Sequence, residues 1–238
     1  MYLKFNKMPY FLEKKTHFDY DFLNANECLN ILTVDEKNEL VINKTDIEFS
    51  AGETIIKRGV LVSNVLYLTE GLVKIEMVND NKIATIGIIQ PHCFIGIVCC
   101  FAFKKFDFTA TALEDSKVSF IDTEVFEKFI KTNGDFSLAL INHISGVANG
   151  LLHRMIRLSQ KNIEGALSIL LLEFAEIYNS KTYTFPVIRK ELADMLGYSK
   201  ESVINTLSKF NREGIINVSD RKIEILDVPK LEQISKLG

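Results

Sequence analysis

The sequence predicts an α+β protein in which an antiparallel β-barrel or sandwich is followed by a long helix and a C-terminal helix-turn-helix. Short apolar runs separated by turn residues extend from Thr45 to Ile89, as closely spaced antiparallel strands require. Apolar residues then recur at helical spacing over residues 135–160. Two short amphipathic segments flank Gly197 near the C-terminus.

The first elements follow the same patterns. Residues 1–22 mix aromatic residues with lysines, and we expect an N-terminal extension there. One or two helices are predicted between Asn24 and Lys37. The apolar runs predict five strands: Ile47–Phe49, Thr54–Ile56, Val65–Leu68, Leu72–Val78 and Ile83–Ile89. Residues 79–81 predict a hairpin turn between the last two strands.

The helix predicted over residues 135–160 carries apolar residues at alternating spacings of three and four. This a/d seam favours a partner helix. Its members are Ile141, Ile144, Ala148, Leu151, Met155 and Leu158. A helix packed only on its own β-domain is the alternative, since a second face could be formed by Leu140, Val147, Leu152 and Ile156.

The segment from Ile188 to Ile216 predicts two short helices joined by a tight turn at Gly197, where glycine supplies the backbone freedom. The apolar faces comprise Leu192, Met195 and Leu196 on the first helix and Val203, Leu207 and Phe210 on the second. Ser199 is placed to cap the second helix. An ordinary helical hairpin with a solvated polar face would show the same apolar pattern.

The exposed start of the second helix carries side chains suited to DNA bases. A helix-turn-helix inserts this part of its recognition helix into the major groove. Lysine can bond guanine, glutamate can accept from cytosine, and asparagine can pair with adenine. Lys200, Glu201 and Asn205 lie there, together with Ser202.

The composition, with a net charge of −3 over 238 residues, indicates a protein that can bury a core and is not specialised to coat nucleic acid. Residues 181–238 contain ten Lys/Arg and eight Asp/Glu, a small basic excess. The sequence contains no apolar run of about 18 residues or more, so we expect no membrane span. The N-terminus lacks a signal-peptide core, and we expect a cytoplasmic, reduced protein.

Cysteine and histidine positions predict neither a metal site nor a catalytic site. The four cysteines (Cys28, Cys93, Cys99 and Cys100) show no zinc spacing, and we expect them to be buried structural residues. A redox switch at Cys99 and Cys100 stays an alternative because Lys104 and Lys105 follow closely. No nucleophile motif or phosphate-binding glycine loop indicates an enzyme.

Two sets of residues resemble the Crp/Fnr family of bacterial transcription regulators. Leu192-Ala-x-x-Leu-Gly-x-Ser-x-Glu-Ser-Val203, with Glu213-Gly-Ile-Ile216, resembles the family's C-terminal domain. Ala51-Gly-Glu-Thr-Ile-Ile56 and the segment 65–75 look like its cyclic-nucleotide-binding β-roll, a jelly-roll-like double-stranded β-helix. Together they cover roughly residues 45–226.

The resemblance implies a domain order and a set of partners. It implies an extension (1–22), a β-roll sensor (23–134), a dimerisation helix (135–160) and a winged helix-turn-helix (161–238) whose wing, residues 215–226, turns at Ser219-Asp220. A homodimer would bind palindromic double-stranded DNA, act with RNA polymerase and contact no membrane. The expected DNA-binding residues are Arg189, Ser199, Lys200, Glu201, Ser202, Asn205 and Lys209, and the six seam residues form the dimer interface.

The chain departs from the family's pattern at the nucleotide pocket. The family has Phe-x-Gly-Glu and then Arg-Ser/Thr-Ala, whereas this chain has Phe94-Ile-Gly-Ile97 and Phe108-Thr-Ala110. We therefore expect no cyclic nucleotide and no cofactor, and an effector of unknown identity or none. The cysteine-free first 27 residues argue against the family's iron–sulfur cluster. An effector pocket would be formed by Phe94, Ile95, Gly96, Ile97, Asp107, Phe108 and Thr109.

Two other classes of function stay open from the residues. The chain could be a ligand-binding or redox-sensing module whose helical hairpin contacts protein, which the weak basic excess slightly favours. The other class is an enzyme, for which only a turnover screen could give support.

Overall fold

The computed structural model describes residues 24–79 and 82–238, so the predicted extension over residues 1–22 lies outside it. Two short helices begin the described chain, α1 (Asn26–Asn30) and α2 (Val34–Ile42). Thr33 caps α2, because its hydroxyl accepts a hydrogen bond from the Glu36 amide while the Glu36 carboxylate accepts one from the Thr33 amide. Helix α1 lies within the segment where the sequence predicts one or two helices, whereas α2 extends five residues beyond Lys37.

Eight antiparallel strands form two four-stranded sheets that pack face to face. The strands are β1 (Lys44–Phe49), β2 (Thr54–Ile56), β3 (Asn64–Glu70), β4 (Val73–Asn79), β5 (Lys82–Ile89), β6 (Cys93–Ile95), β7 (Thr109–Ala112) and β8 (Ser116–Asp122). Their orders are β1-β8-β3-β6 and β2-β7-β4-β5. Apolar side chains from both sheets share one core, including Leu66 and Val118 from the first and Ile56 and Ile75 from the second.

The structure contains two helices in the β-domain that the sequence patterns do not predict. Helix α3 (Ile97–Ala102) falls inside an apolar run, where a short helix and a buried strand look alike. Helix α4 (Thr123–Thr132) begins at Asp122, whose carboxylate accepts hydrogen bonds from the amides of Glu124 (2.7 Å) and Val125 (3.3 Å). Helix α4 packs on the next helix through the buried rings of Phe126 and Phe129.

The long helix α5 (Gly134–Ser159) matches the predicted dimerisation helix within one residue at each end. Asn133 caps it by accepting a hydrogen bond from the Phe136 amide at 2.9 Å. Its first half buries Phe136, Leu140 and His143 against the β-domain. Its second half leaves the domain with most of its large apolar side chains exposed.

The C-terminal part is a winged helix-turn-helix with its own core. Its elements are α6 (Ile163–Ile177), β9 (Thr182–Thr184), α7 (Arg189–Leu196), α8 (Lys200–Arg212), β10 (Ile216–Ser219), β11 (Lys222–Ile225) and α9 (Val228–Leu237). The β10–β11 hairpin is the predicted wing, and β9 adds a third strand beside β11. Since Ser219 pairs with Lys222, the turn comprises Asp220 and Arg221, one residue later than predicted.

A buried carboxylate fixes the angle between α5 and α6. Glu173 of α6 is almost fully buried and pairs with Arg154 at 3.3 Å and Arg157 at 3.1 Å, both on α5. Two guanidinium groups offset the cost of burying one carboxylate. Helix α5 is therefore joined to the C-terminal domain by ion pairs as well as by the chain.

Gly71 provides a test of the β-roll turn that the sequence indicates. Its φ is +87°, and a Cβ atom there would lie 2.6 Å from the Asp115 carbonyl oxygen and 2.7 Å from Ser116 Cα. Gly59 has a φ of +89° but open space around it. Gly59→Ala should therefore lose about 1–3 kcal/mol of unfolding free energy through backbone strain alone. Gly71→Ala should lose about 1–3 kcal/mol more through the clash.

Urea unfolding of the two variants beside the parent protein measures the difference. Equal losses at Gly59 and Gly71 would contradict the close packing of the β3–β4 turn against the start of β8.

Candidate nucleic-acid interface and effector pocket

The helix-turn-helix is held by a short turn and two capping groups. Gly197 ends α7 in the left-handed conformation (φ +73°). Ser199 caps α8 as predicted, because its hydroxyl accepts a hydrogen bond from the Ser202 amide at 3.1 Å. Val203, Leu207 and Phe210 of α8 are buried. The opposite, polar side of α8 is thereby directed away from the core.

The start of α8 exposes the predicted base-reading residues. Lys200, Glu201 and Asn205 are all exposed, within the first two turns of the helix. Ser202 is half-buried, and its hydroxyl lies 3.0 Å from the Ser199 hydroxyl. The two serines therefore already bond to each other within the cap, whereas the three longer side chains project into solvent.

Two residues predicted to contact DNA already bond to partners of their own domain, although the Lys209 side chain is still 41% exposed. Arg189 donates a hydrogen bond to the Asp220 carbonyl in the wing turn and stacks 5.5 Å above the Phe185 ring. Burial lowers the pKa of the Arg189 guanidinium. Lys209 pairs with Glu164 of α6 at 2.5 Å, and this bond raises the Lys209 pKa. The structure thus gives both residues an internal bridging role that their sequence positions do not reveal.

The DNA-binding domain docks on the β-roll through a contact that the sequence does not predict. Lys74 of β4 bonds to Glu191 at the start of α7 and to Glu76 at 3.0 Å, and all three are largely buried. Burial opposes its charge, but the bonds to Glu191 and Glu76 raise the Lys74 pKa. Ile88 and Leu113 of the β-roll also pack against the C-terminal core. No local pattern could reveal this site, since Lys74 and Glu191 are far apart in the chain.

The predicted effector pocket is closed by an aromatic ring. Gly96 has a φ of +69°, and a Cβ atom there would lie 2.5 Å from Cζ of Phe108. Phe108 is buried and meets Phe106 edge to face at 5.7 Å. Phe94, Ile95 and Ile97 are buried as well, in the apolar clusters of the domain. The buried residues belong to two apolar clusters, Phe94 and Ile97 to one and Ile95 and Phe108 to the other, and the Phe108 ring lies in front of Gly96. Their role as an effector pocket stays a prediction.

The polar atoms nearest this closed pocket do not form a site for an anion. Asp107 is half-buried, and its carboxylate accepts a hydrogen bond from the Cys99 thiol at 3.5 Å. The Thr109 hydroxyl accepts one from the Arg58 amide at 3.4 Å. The position that the family fills with arginine holds the phenyl ring of Phe108.

All four cysteines are buried free thiols. Burial raises the pKa of Cys28 to about 11 and that of Cys93 and Cys100 to about 12, and it also raises the pKa of Cys99. A reactive cysteine needs the opposite shift, toward the thiolate. The environments therefore favour the structural interpretation over the redox switch.

The predicted dimer seam is only partly exposed. Ile141, Leu151 and Met155 are each more than half exposed, and Ala148 is also exposed. Ile144 packs partly on the β-domain and Leu158 partly on the C-terminal core. Leu152 and Ile156, assigned to the second face, are 58% and 54% exposed. The large apolar side chains that α5 itself leaves exposed are therefore Leu138, Ile141, Leu151, Leu152, Met155 and Ile156.

An antiparallel β-roll followed by a long helix and a winged helix-turn-helix defines a two-domain DNA-binding regulator. Known families match both ends of the chain: the Crp-like helix-turn-helix domain over residues 166–234 and the cyclic nucleotide-binding domain over residues 46–133. The chain belongs to the Crp/Fnr family of transcription regulators. The predicted family and fold class are thereby confirmed.

Individual relatives are similar over most of the chain. The nitrogen fixation regulation protein FixK of Bradyrhizobium diazoefficiens is 24% identical over 79% of this chain and 81% of its own. The transcriptional regulator SdrP of Thermus thermophilus is 26% identical, over 80% and 94%. A crystal structure from Eubacterium rectale, assigned to the Crp/Fnr family, has a TM-score of 0.73 at 18% identity and covers 91% of this chain and 99% of its own.

These comparisons concern the class of protein rather than its effector or its DNA site. Crp/Fnr regulators bind DNA and are typically dimers, and the relatives found are transcription regulators rather than enzymes. Within residues 24–79 and 82–238, no helix is long and apolar enough to cross a membrane. The same residues contain no group of three or more His, Cys, Asp or Glu side chains that could hold a metal ion.

Proposed function

We propose that this protein is a sequence-specific transcription regulator that binds a palindromic double-stranded DNA site as a homodimer. The observation that carries the proposal is the exposed polar start of α8, where Lys200, Glu201 and Asn205 stand on a helix whose other face is buried. A recognition helix of this kind presents its N-terminal residues to base edges in the major groove. The domain boundaries at residues 22, 134 and 160 and the contact with RNA polymerase belong to this proposal.

The other residues predicted to contact DNA hold the recognition helix and the wing in place. Ser199 and Ser202 fix the start of α8, Arg189 holds the wing turn, and Lys209 ties α8 to α6. The wing itself exposes Arg221 and Lys222, two cations that suit the phosphate backbone. We therefore assign base reading to Lys200, Glu201 and Asn205, and phosphate contact to the wing.

Replacing Asn205 or Lys200 with Ala should weaken binding to the specific site by about 1–3 kcal/mol and relax base preference at one position of each half-site. The matched control is Lys230→Ala, an exposed lysine on α9. Binding to specific and random duplexes is compared by fluorescence anisotropy over a salt titration. Equal weakening on both duplexes would reassign the residue to phosphate contact.

The uncovered apolar surface of α5 supports the homodimer. A single exposed leucine is ordinary, but two pairs of large apolar residues lie one turn apart on this helix. They are Leu151 with Leu152 and Met155 with Ile156, and each of the four is more than half exposed. A second copy related by a twofold axis would bury the seam helix against helix. The separation of the two recognition helices would then match one turn of DNA, about 34–36 Å.

Leu151→Glu should convert the dimer to a monomer, because two carboxylates would face each other across a dry twofold interface. His153→Glu is the control, since His153 is exposed two residues along the same helix and lies off the seam. Sedimentation equilibrium measures the mass, and DNA binding should be lost together with the dimer. A Leu151→Glu protein that stays dimeric would place the interface elsewhere.

The filled pocket supports an effector other than cyclic AMP, or none, at the family's nucleotide position. A buried cyclic phosphate needs a cation and hydrogen-bond donors, and Ile97 and Phe108 supply neither. The Phe108 ring also occupies the space in front of Gly96. A charge-assisted bond is worth about 1.5–3 kcal/mol, so losing two weakens a micromolar ligand about 10²- to 10⁴-fold, to a Kd of about 0.1 mM or weaker.

Neither cyclic AMP nor cyclic GMP should bind, and neither should change DNA affinity. Isothermal calorimetry with nucleotide up to millimolar concentration provides the measurement, and Phe108→Arg provides the matched variant. Saturable micromolar binding by the parent protein would show that Lys104 or Lys105 holds the phosphate. It would also show that the Phe108 ring moves aside.

A protein-binding role for the helical hairpin is the second candidate. Arg189 bonds to the Asp220 carbonyl and Lys209 pairs with Glu164, so neither cation is fully available to a phosphate backbone. A hairpin that contacts protein would allow this arrangement. Loss of salt dependence in the duplex titrations above would favour it, because phosphate contacts release counterions.

A further inference from the structure

The β-roll contains a second cavity, away from Gly96, that no part of the proposed function uses. It measures about 440 Å3 and lies at the open edge between the sheets, where β2 faces β3 and β8. Ligand-binding cavities measure about 300–1,000 Å3, and the mouths of β-barrels are among their usual positions. We name it the edge cavity, and its lining residues come from β2, β3, the loop 57–63, Phe106 and Phe120.

The inner wall of the edge cavity is apolar, and Thr54, Lys57, Ser63 and Asn64 add polar groups to the rest of its lining. Ile56, Leu66 and Phe106 form the buried inner wall, and Ile55 and Phe120 are half-buried beside it. At the mouth, Val60 and Leu61 are 51% and 74% exposed. A surface of this kind gains free energy when an aliphatic chain covers it.

The mouth of the edge cavity is basic. Hydrogen bonds join its two rim segments, from the Gly59 amide to the Phe106 carbonyl (2.7 Å) and from the Val62 amide to the Lys104 carbonyl (3.1 Å). Lys57 lines the cavity, and the pairing of the two segments places three further exposed cations in the same loops: Arg58, Lys104 and Lys105. Within the described part of the chain, none of the four forms an ion pair with a carboxylate.

We propose that the edge cavity binds a medium-chain aliphatic carboxylate, with the chain against Leu66 and Phe106 and the head group among the rim cations. Charge complementarity favours an anionic head group, and the apolar inner wall favours an aliphatic tail. Phe106 separates the edge cavity from the closed pocket, since its ring meets Phe108. The aliphatic chain of a bound ligand would therefore touch Phe106, whose ring packs against the Phe108 ring in front of Gly96.

Other occupants fit less well. Residues 1–23 contain four lysines and three acidic residues, so their net charge does not complement a basic rim. A membrane surface would use the exposed side chains of Val60, Leu61 and Phe103 but would not need a cavity behind them. A small amphiphile uses both the rim and the interior.

Isothermal calorimetry of the full chain with octanoate and decanoate, below their micelle concentrations and without DNA, tests the proposal. Each added methylene should tighten binding about fourfold, so decanoate should bind about 16-fold tighter than octanoate. Octanol, which lacks the charge, should bind at least tenfold more weakly than octanoate. Raising the salt concentration should weaken carboxylate binding but leave octanol unchanged.

Rim variants locate the site. Lys57→Gln combined with Lys105→Gln should weaken decanoate binding about tenfold or more, and Leu61→Asp should do the same by charge repulsion at the mouth. Lys230→Gln, on α9, should leave binding unchanged. All four positions are exposed, so thermal unfolding should stay near that of the parent protein and show that a loss of binding is not a loss of fold.

Three results would overturn the proposal. Decanoate that fails to bind at millimolar concentration would leave the edge cavity without the proposed ligand. Binding that all rim variants retain would place the ligand elsewhere. Binding only to vesicles containing phosphatidylglycerol, with none to monomeric decanoate, would make the rim a membrane contact. Since DNA is absent from each measurement, these outcomes are independent of the DNA-binding proposal.

Discussion

Helix α5 carries more apolar surface than one chain can cover, and the arrangement of the rest of the molecule depends on how that surface is divided. Its first half is buried through Phe136 and Leu140, which fixes the β-roll to the helix. Its last turns reach Glu173 through Arg154 and Arg157, which fixes the DNA-binding domain to the same helix. The stretch between these two attachments is exposed. One helix therefore sets the position of both domains and offers the surface through which a second copy would set the distance between two recognition helices.

The β-roll keeps the family's backbone while changing the chemistry at its centre. Gly96 has the left-handed conformation, and its close neighbour is the Phe108 ring. Ile97 joins the apolar cluster that includes Phe94 and Cys100. Ile97 and Phe108 are thus part of the apolar core around Gly96. Similarity of fold and identity of ligand are separate properties in this domain.

Local sequence patterns predict many of the helices and turns. Most of the contacts that they do not predict join residues that are far apart in the chain. The spacing of apolar residues in α5, the glycine at 197 and the cap at Ser199 each predict an element from neighbouring residues alone, and each is present. Helix α3 could not be distinguished from a strand, because a six-residue apolar run satisfies both periods. Arg189 and Lys209 look like surface cations in the sequence, yet their partners Asp220 and Glu164 lie 31 and 45 residues away. The pairing of Lys74 with Glu191 has no sequence signal at all.

The packing of Ile88 and Leu113 against the C-terminal core has a consequence for how the chain is made. A ribosome releases the β-roll first, and domains generally fold as units in that order. The winged domain would then fold against a β-roll surface that is already formed, on which Lys74 is in place to bond to Glu191 at the start of α7. The β-roll is in this sense a template for the domain that follows it. A winged domain synthesised alone would lack the contacts with Ile88 and Leu113 and the Lys74 ammonium that bonds to Glu191 at the start of α7. Its affinity for DNA would not represent that of the whole chain.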